Sequence, residues 1–190
     1  MAKKKVVKKK KKLVVASKKR KVIRKTKNKK SAVKRKKKVL TPPKGYHSVI
    51  PYLIIQQAAK AIDFYKKAFG AKEMLRMEQP SGKIGHAELK IGDAKLMLSD
   101  ECPEMQARGP EAFGGCPIIV HLYIKNADAV IAKAVSLGAK VTRPAEDMFY
   151  GDRSGMIQDP FGYSWCISTH IEDLTPAKVK KRAQALFGKK

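Results

Sequence analysis

Lysine is the residue type of this chain with the clearest capacity for binding, because it is concentrated at one end. Residues 1–44 contain 23 of the 43 Lys and Arg residues and none of the 16 Asp and Glu residues. Lysine is a point charge that binds phosphates and reads no bases, so the segment is predicted to bind nucleic acid without sequence preference. The alternatives are binding to an anionic membrane and an inert, solubilising tail. No aromatic residue precedes Tyr46, so base stacking cannot give a single-strand preference. The residues predicted to contact phosphates are Lys8, Lys9, Lys10, Lys11, Lys12, Lys18, Lys19, Arg20, Lys21, Lys34, Arg35, Lys36, Lys37 and Lys38.

A second group with binding potential is Gly151-Asp152-Arg153, which comes directly before a predicted strand. The planar guanidinium of Arg153 can clamp an anionic substrate through paired hydrogen bonds. The alternative is an Asp152–Arg153 contact that only fixes the turn. Asp152, Arg153 and Trp165 are the predicted substrate-binding residues, with Trp165 in the core or in the wall of the site.

The elements that must position these residues occur twice in the same order. Strand, helix and turn patterns predict a strand, a helix, a strand and a hairpin in each half. Ala61-Ile62 and Phe69-Gly70-Ala71-Lys72 recur 68 residues later as Ala129-Val130 and Leu137-Gly138-Ala139-Lys140. The sequence therefore predicts an α+β fold of tandem βαβββ modules, about 46–99 and 116–170. The predicted elements are strand 47–55, helix 58–69, strands 72–79, 84–91 and 94–99, strand 116–124, a helix from the Asn126 cap to about 137, and strands 140–144, 153–158 and 163–169.

The two ends of the chain differ from this domain, which is predicted to span residues 45–174. Residues 1–44 carry too little apolar surface to offset their chain entropy and are predicted to be a disordered tail. Thr175-Pro176 predicts a capped C-terminal helix over 175–188, packed on the domain or on a second subunit. Three cysteines without a pairing pattern predict a reducing, intracellular location, cytoplasmic or nucleoid-associated, or nuclear in a eukaryote. No apolar run reaches the roughly 18 residues of a membrane span.

Several short motifs together are similar to one known family. They resemble the glyoxalase / bleomycin-resistance / extradiol-dioxygenase (vicinal-oxygen-chelate) superfamily over residues 46–173, and more narrowly its PhnB-like branch. The resemblance implies curled mixed sheets around a shared cavity that chelates a divalent metal or binds a small molecule without one. The motifs are Pro51-Tyr52-Leu53, Ala61-Ile62-Asp63-Phe64-Tyr65, Phe69-Gly70-Ala71, His86-Ala87-Glu88, Gly151-Asp152-Arg153 and Asp159-Pro160-Phe161-Gly162.

The family's metal ligands can be carried over position by position. Glu88 and Cys166 are retained as possible ligands, whereas the other two positions fall on Ile50 or Pro51 and on Ile119, so most of the glyoxalase I set is absent. Strand alternation places His86 on the same face as Glu88, and His121 on the same face as Ile119. The predicted divalent-metal set is Glu88, His86, His121 and Cys166. The alternative is a hydrogen-bonded Glu88–His86 pair, with His121 in the cavity wall.

Two classes of function fit these features. The first is a PhnB-like protein that binds or transforms a small molecule, with metal assistance as one option, and whose tail holds nucleic acid. An enzyme of this kind would be a glyoxalase- or dioxygenase-like lyase or a related metal-dependent enzyme. The second is a non-enzymatic, histone-like protein whose folded domain serves homodimerisation. A polar pocket at Glu88 and His121 favours the first, and a cavity filled by Met97, Trp165 and Tyr123 favours the second.

Overall fold

The computed structural model describes residues 40–188, so the predictions for the lysine-rich segment 1–39 lie outside the described residues. The first module consists of β1 (Tyr52–Ile55), α1 (Ala58–Phe69), β2 (Lys72–Glu78), β3 (Ile84–Ile91) and β4 (Ala94–Asp100). The second consists of β5 (Ile119–Tyr123), α2 (Ala127–Ser136), β6 (Lys140–Asp147), β7 (Asp152–Gln158) and β8 (Ser164–His170). Two short 3-10 helices, Pro103–Met105 and Pro110–Phe113, lie between the modules, and α3 (Pro176–Phe187) follows them.

The two modules have the same sheet topology. The strand order is β1-β4-β3-β2 in the first sheet and β5-β8-β7-β6 in the second. The first strand of each module runs parallel to its last strand, and the remaining neighbours are antiparallel. The prediction of an α+β fold with tandem βαβββ modules and mixed sheets is therefore confirmed.

The bounds of the elements follow local sequence signals. Gly70 ends α1 in the left-handed conformation, with φ 67°, which glycine adopts without a steric penalty. Asn126 caps α2, and its side chain accepts a hydrogen bond from the Ala129 N–H at 3.0 Å. β1 is shorter than predicted and begins at Tyr52 instead of His47. Pro51 explains the late start, because it has no N–H for a ladder and restricts the residue before it.

One face of each sheet is buried against the helices, and the two helices contact each other. Leu89 and Leu98 of the first sheet and Ile167 of the second are completely buried. Between the modules, the ring of Trp165 lies 5.3 Å from that of Tyr65 and 4.6 Å from that of Phe69, measured between centroids. Both modules therefore share one core on the helix side. Within residues 40–188, no helix packs on the opposite face of either sheet, and this face is called the open face.

The C-terminal helix α3 lies on the surface. The Thr175 hydroxyl accepts a hydrogen bond from the Lys178 N–H, and proline occupies the first helical position, as predicted. No residue of α3 is buried. Arg182 holds the helix to the domain through two hydrogen bonds to Glu172, of 2.7 and 2.9 Å. Over residues 40–188, none of the helices has the length and apolarity that a membrane crossing requires.

Candidate small-molecule site

Strand pairing places most of the polar residues that could bind a ligand or a metal on the two open faces. Directly paired residues of neighbouring strands point to the same side of a sheet. The first open face presents Tyr52, Lys72, His86, Glu88, Lys90, Lys95 and Met97. The second presents His121, Arg143, Ser154, Met156, Cys166 and Ser168.

Glu88 is buried on the first open face and already has three polar neighbours. Its Oε2 atom accepts a hydrogen bond of 2.6 Å from the Tyr46 hydroxyl and one of 3.1 Å from the Lys95 ammonium. Its Oε1 atom lies 3.6 Å from Nε2 of His86, whose Nδ1 is 3.0 Å from the Tyr52 hydroxyl. The Tyr46 hydrogen bond, assisted by Lys95, lowers the pKa of Glu88 despite the opposing effect of burial. Glu88 is therefore an ionised carboxylate that is neutralised by a lysine.

His121 and Cys166 lie on the other sheet. They are directly paired between β5 and β8, and Cys166 is buried with its Sγ 3.2 Å from Oγ of Ser154. His121 is exposed, and its ring lies 4.7 Å from that of Tyr123. Thus the predicted ligands fall into two pairs on separate sheets.

The described residues do not fit a divalent metal at the predicted position. Between residues 40 and 188 there is no group of three or more His, Cys, Asp or Glu side chains placed to hold one. A metal at Glu88 would also be repelled by the Lys95 ammonium, which lies 3.1 Å from Oε2 of the same carboxylate. The arrangement instead resembles the alternative of a Glu88–His86 pair, extended by Tyr46 and Lys95.

Arg153 faces the helix side of the second sheet and is engaged by two carboxylates. Its guanidinium donates two hydrogen bonds to Asp128, of 2.7 and 2.8 Å, and one of 3.0 Å to Asp147. These bonds raise the pKa of Arg153. The arginine thus joins β7 to α2 and β6. Binding an anionic substrate would require it to release one of these acids.

Asp152, predicted beside Arg153 in the substrate site, belongs to a different network. Its buried carboxylate accepts a hydrogen bond of 2.8 Å from the Tyr123 hydroxyl and lies 2.8 Å from Nδ1 of His170. Nε2 of His170 lies 2.9 Å from the exposed carboxylate of Asp173. Asp173 and then Asp152 raise the pKa of His170. This chain of side chains was not predicted from the sequence, because its members come from three separate segments.

Trp165 is directed away from the open face. Its side chain is 1% exposed, and its indole N–H donates a hydrogen bond of 2.9 Å to Asp159. Asp159 also accepts hydrogen bonds from Tyr65 and from the backbone N–H groups of Phe161 and Tyr163. Of the two positions predicted for Trp165, the structure places it in the core, where a ligand cannot reach it.

Arg143 is a polar residue of the second open face that sequence analysis missed. One of its terminal nitrogens donates to Oγ of Ser154 at 3.2 Å, and Ser154 in turn accepts from Ser168 at 2.9 Å. The Nε atom of Arg143 is buried and has no hydrogen-bond partner among the described residues. Alternation with Val141 along β6 was the available signal, but a bulge after Val141 shifts the register there.

A cleft of about 480 Å³ is lined by the edge strands β1 and β5 of the two sheets and by residues of the connecting segment 108–118, and is called the seam cleft. Its walls are mostly apolar, and its basic side chains are Arg108 and His121. The hydroxyl of Tyr163 closes it on one side by donating to the Ile54 carbonyl at 2.9 Å and accepting from the Ile54 N–H at 3.1 Å. Further lining residues are Pro51, Tyr52, Leu53, Gly109, Pro110, Phe113, Gly115, Cys116, Pro117, Ile118, Ile119 and Val120.

Comparison with known proteins gives a consistent result. The profile described as Glyoxalase/Bleomycin resistance protein/Dioxygenase superfamily matches residues 47–167. An uncharacterized protein of Mycobacterium bovis is 38% identical over 133 residues, covering 68% of this chain and 88% of that protein.

Solved structures show the same architecture. Protein PA1353 from Pseudomonas aeruginosa is 25% identical with a TM-score of 0.55, covering 65% of this chain and 98% of that one. The PhnB protein from Bacillus cereus is 16% identical with a TM-score of 0.52, covering 65% of this chain and 99% of that one, and this likeness concerns the fold alone.

Proposed function

Because the chain belongs to the Glyoxalase/Bleomycin resistance protein/Dioxygenase superfamily, we propose that it is a PhnB-like protein that binds a small molecule in the seam cleft. The observation that carries the proposal is the cleft itself, whose volume of about 480 Å³ lies within the range of about 300–1,000 Å³ that is usual for ligand sites. Apolar walls with a few polar groups are also typical of such sites. The proposed ligand is mainly apolar, with a polar or anionic end near Arg108 and His121.

The cleft has the rigidity that favours binding. Tyr163 belongs to the second module, and its hydroxyl is hydrogen-bonded to both backbone groups of Ile54 in the first. These two hydrogen bonds join β1 to the start of β8, which pairs with the edge strand β5. A preformed site loses little conformational freedom when a ligand enters, so more of the contact energy remains as affinity.

The proposed binding does not use a metal at Glu88. That carboxylate is neutralised by Lys95 and accepts a hydrogen bond from Tyr46. The open face of the first sheet therefore presents an ion pair and not a carboxylate that is free to bind a metal. The side chain that reaches the seam cleft from the predicted metal set is His121. His121 is therefore assigned to ligand contact through its exposed ring.

A ligand screen with a blocked cleft tests this proposal. Ile119 is 53% exposed and lines the cleft, so Ile119→Trp fills the space without entering the core. Val141→Trp is the control, because Val141 is 46% exposed on the distant strand β6. A panel of small aromatic carboxylates should contain members that raise the thermal midpoint of the wild type and the control. A ligand at 100 times its dissociation constant stabilises by about 2.7 kcal/mol. The proposal fails if no member stabilises the wild type, or if Ile119→Trp keeps the full shift.

We also propose that residues 1–44 bind nucleic acid without sequence preference, within the cell. The supporting observation is the 23 Lys and Arg residues without one Asp or Glu. If about 6–10 of these cations contact phosphates, affinity should fall by about 10³–10⁵ between 50 and 200 mM salt. Deletion of residues 1–40 should remove most of the binding to a labelled duplex. Binding that does not depend on salt would contradict the proposal.

A homodimer is proposed on a separate observation. The open faces expose large apolar side chains, including Tyr52 at 46%, Ile119 at 53% and Tyr123 at 61%. Exposed apolar surface of this kind is typical of faces that associate. Sedimentation of the full chain at several concentrations should give the mass of a dimer. A monomer mass at all concentrations would show that these faces do not associate.

A further inference from the structure

Three lysines stand side by side across the first sheet. Lys72 of β2 is directly paired with Lys90 of β3, and Lys90 is directly paired with Lys95 of β4. Directly paired residues point to the same face with Cβ atoms about 4.5–5.5 Å apart, and like charges in such positions destabilise a sheet. The sheet therefore places three lysines side by side, an arrangement of like charges that opposes folding. These three residues are called the lysine row.

The members of the row differ in how their charge is balanced. Lys95 is paired with Glu88 at 3.1 Å, and its ammonium lies 3.2 Å from the ring centroid of Tyr46. Lys72 and Lys90 are exposed, and no ion pair joins either of them to a carboxylate in the part of the chain that the structure describes. The charges available to a partner are therefore those of Lys72 and Lys90.

A hollow of about 390 Å³ connects this row to the beginning of the folded part. It is lined by Lys90 and Lys95 of the row, by Asp93, and by the segment that contains Lys44 and His47. Lys44 is the last cation of the lysine-rich segment 1–44. Lys44 therefore lies in the same hollow as Lys90 and Lys95. Lys44 and Lys90, which form no ion pair within residues 40–188, outnumber the single acid Asp93 in this lining.

We propose that the lysine row is a docking surface for the phosphate backbone of duplex nucleic acid and extends the binding path of residues 1–44 onto the folded part. This inference rests on the proposed nucleic-acid binding by that segment. Neighbouring strands lie about 4.8 Å apart, so the row spans about 10 Å. Measured along the helix axis of a duplex, one strand carries a phosphate about every 3.4 Å, so the row is comparable in length to about three axial steps. Lysine contacts phosphate as a point charge, so the surface reads no sequence.

The size of the expected effect follows from the number of available charges. Each phosphate contact contributes about −0.9 to the slope of log affinity against log salt. Removing the contacts of Lys72 and Lys90 should make this negative slope shallower by about 1.8. If the affinity extrapolated to 1 M salt is unchanged, binding at 0.1 M should weaken about 60-fold.

The test uses the full chain with its lysine-rich segment. The double variant Lys72→Gln/Lys90→Gln is compared with wild type and with Lys125→Gln/Lys133→Gln, whose exposed lysines lie on the second module. Anisotropy of a labelled random-sequence duplex is measured from 50 to 200 mM KCl. The salt dependence of the row variant should be shallower by about 1.8 in slope, while the control keeps the wild-type slope. Thermal unfolding without nucleic acid checks the fold, and the row variant should be at least as stable as wild type because repulsion is relieved.

Other outcomes separate the two levels of the proposal. If wild type shows no salt-dependent binding, the proposed role of residues 1–44 is wrong. If wild type binds but the row variant and the control have equal slopes, the lysine-rich segment acts alone and the docking surface is refuted. Acidic phosphatidylserine vesicles are the competing probe. If they bind through Lys72 and Lys90 and nucleic acid cannot displace them, the partner is a membrane surface and the proposal is overturned.

Discussion

Substituting Asp159 should show that a buried carboxylate holds the two modules together. Its Oδ2 atom accepts hydrogen bonds from the Tyr65 hydroxyl at 2.8 Å and the Trp165 indole at 2.9 Å. Its Oδ1 atom accepts from the backbone N–H groups of Phe161 and Tyr163, both at 2.9 Å. Tyr65 lies on α1 of the first module, whereas the other donors belong to the second. Asp159 is 4% exposed, so its donors are shielded from bulk water.

The magnitude follows from the donors that would lose their partner. A hydrogen bond to a charged group contributes about 1.5–3 kcal/mol, and a buried donor left unpaired costs about 1–3 kcal/mol. Because the Tyr65 hydroxyl can rotate but the Trp165 N–H cannot, Asp159→Ala should destabilise by about 3–6 kcal/mol. Asp159→Asn should cost about 2–4 kcal/mol, since its amide group would face the indole donor. Tyr65→Phe removes one donor and should cost about 1–2 kcal/mol.

Urea unfolding followed by fluorescence of Trp165, the one tryptophan, measures these differences. With a slope of about 2 kcal/mol per M, Asp159→Asn should lower the midpoint by about 1–2 M. Asp63→Asn is the matched control, because Asp63 is exposed on α1 and should change the free energy of unfolding by less than about 0.5 kcal/mol. The reasoning is refuted if Asp159→Asn behaves like this control, or if Tyr65→Phe destabilises more than Asp159→Ala.

Three further outcomes are expected. The pKa of His170 is raised in the folded protein, so its charged form stabilises the fold fully below the pKa of the unfolded state, near 6.5, and less as pH rises through the pKa of the folded state. The thermal midpoints of wild type and His170→Gln should therefore converge at alkaline pH. Adding Zn²⁺ or Mn²⁺ should not raise the thermal midpoint of the wild type, because the Glu88 carboxylate is held by Lys95; a metal-dependent rise that disappears in Glu88→Gln would show that the metal prediction was correct. Limited trypsin should remove residues 1–44 first and leave residues 45–190 as a resistant, cooperatively unfolding core, which mass spectrometry and calorimetry can check.

The elements of the fold could be predicted from the sequence because their signals are local. The apolar spacing of α1 and the cap at Asn126 depend on neighbours within one or two turns, and both helices begin where predicted. The environment of Trp165 was also readable in principle. If Cys166 points to the open face, alternation places Trp165 on the helix side, where it is found.

The partners of the site residues could not be predicted in this way, because they are set by how the chain folds back on itself. Glu88 and Tyr46 are 42 residues apart, and Arg153 and Asp128 are 25 apart. A sequence pattern identifies a carboxylate or a guanidinium but not which opposite charge will reach it. For Arg153 that missing information decides between a substrate clamp and a structural ion pair.

The two modules show why carrying ligands over by position gave an incomplete site. The same cross-strand row of the open face reads Tyr52–Met97–Glu88–Leu75 in the first sheet and His121–Cys166–Met156–Arg143 in the second. The first row carries an acid, Glu88 of β3, and the second carries a base, Arg143 of β6. Packing against the helices constrains only the opposite face, where both modules keep apolar residues. The open faces are free of that constraint, so their chemistry differs between modules that share one topology, and any assignment there depends on the contacts of each side chain.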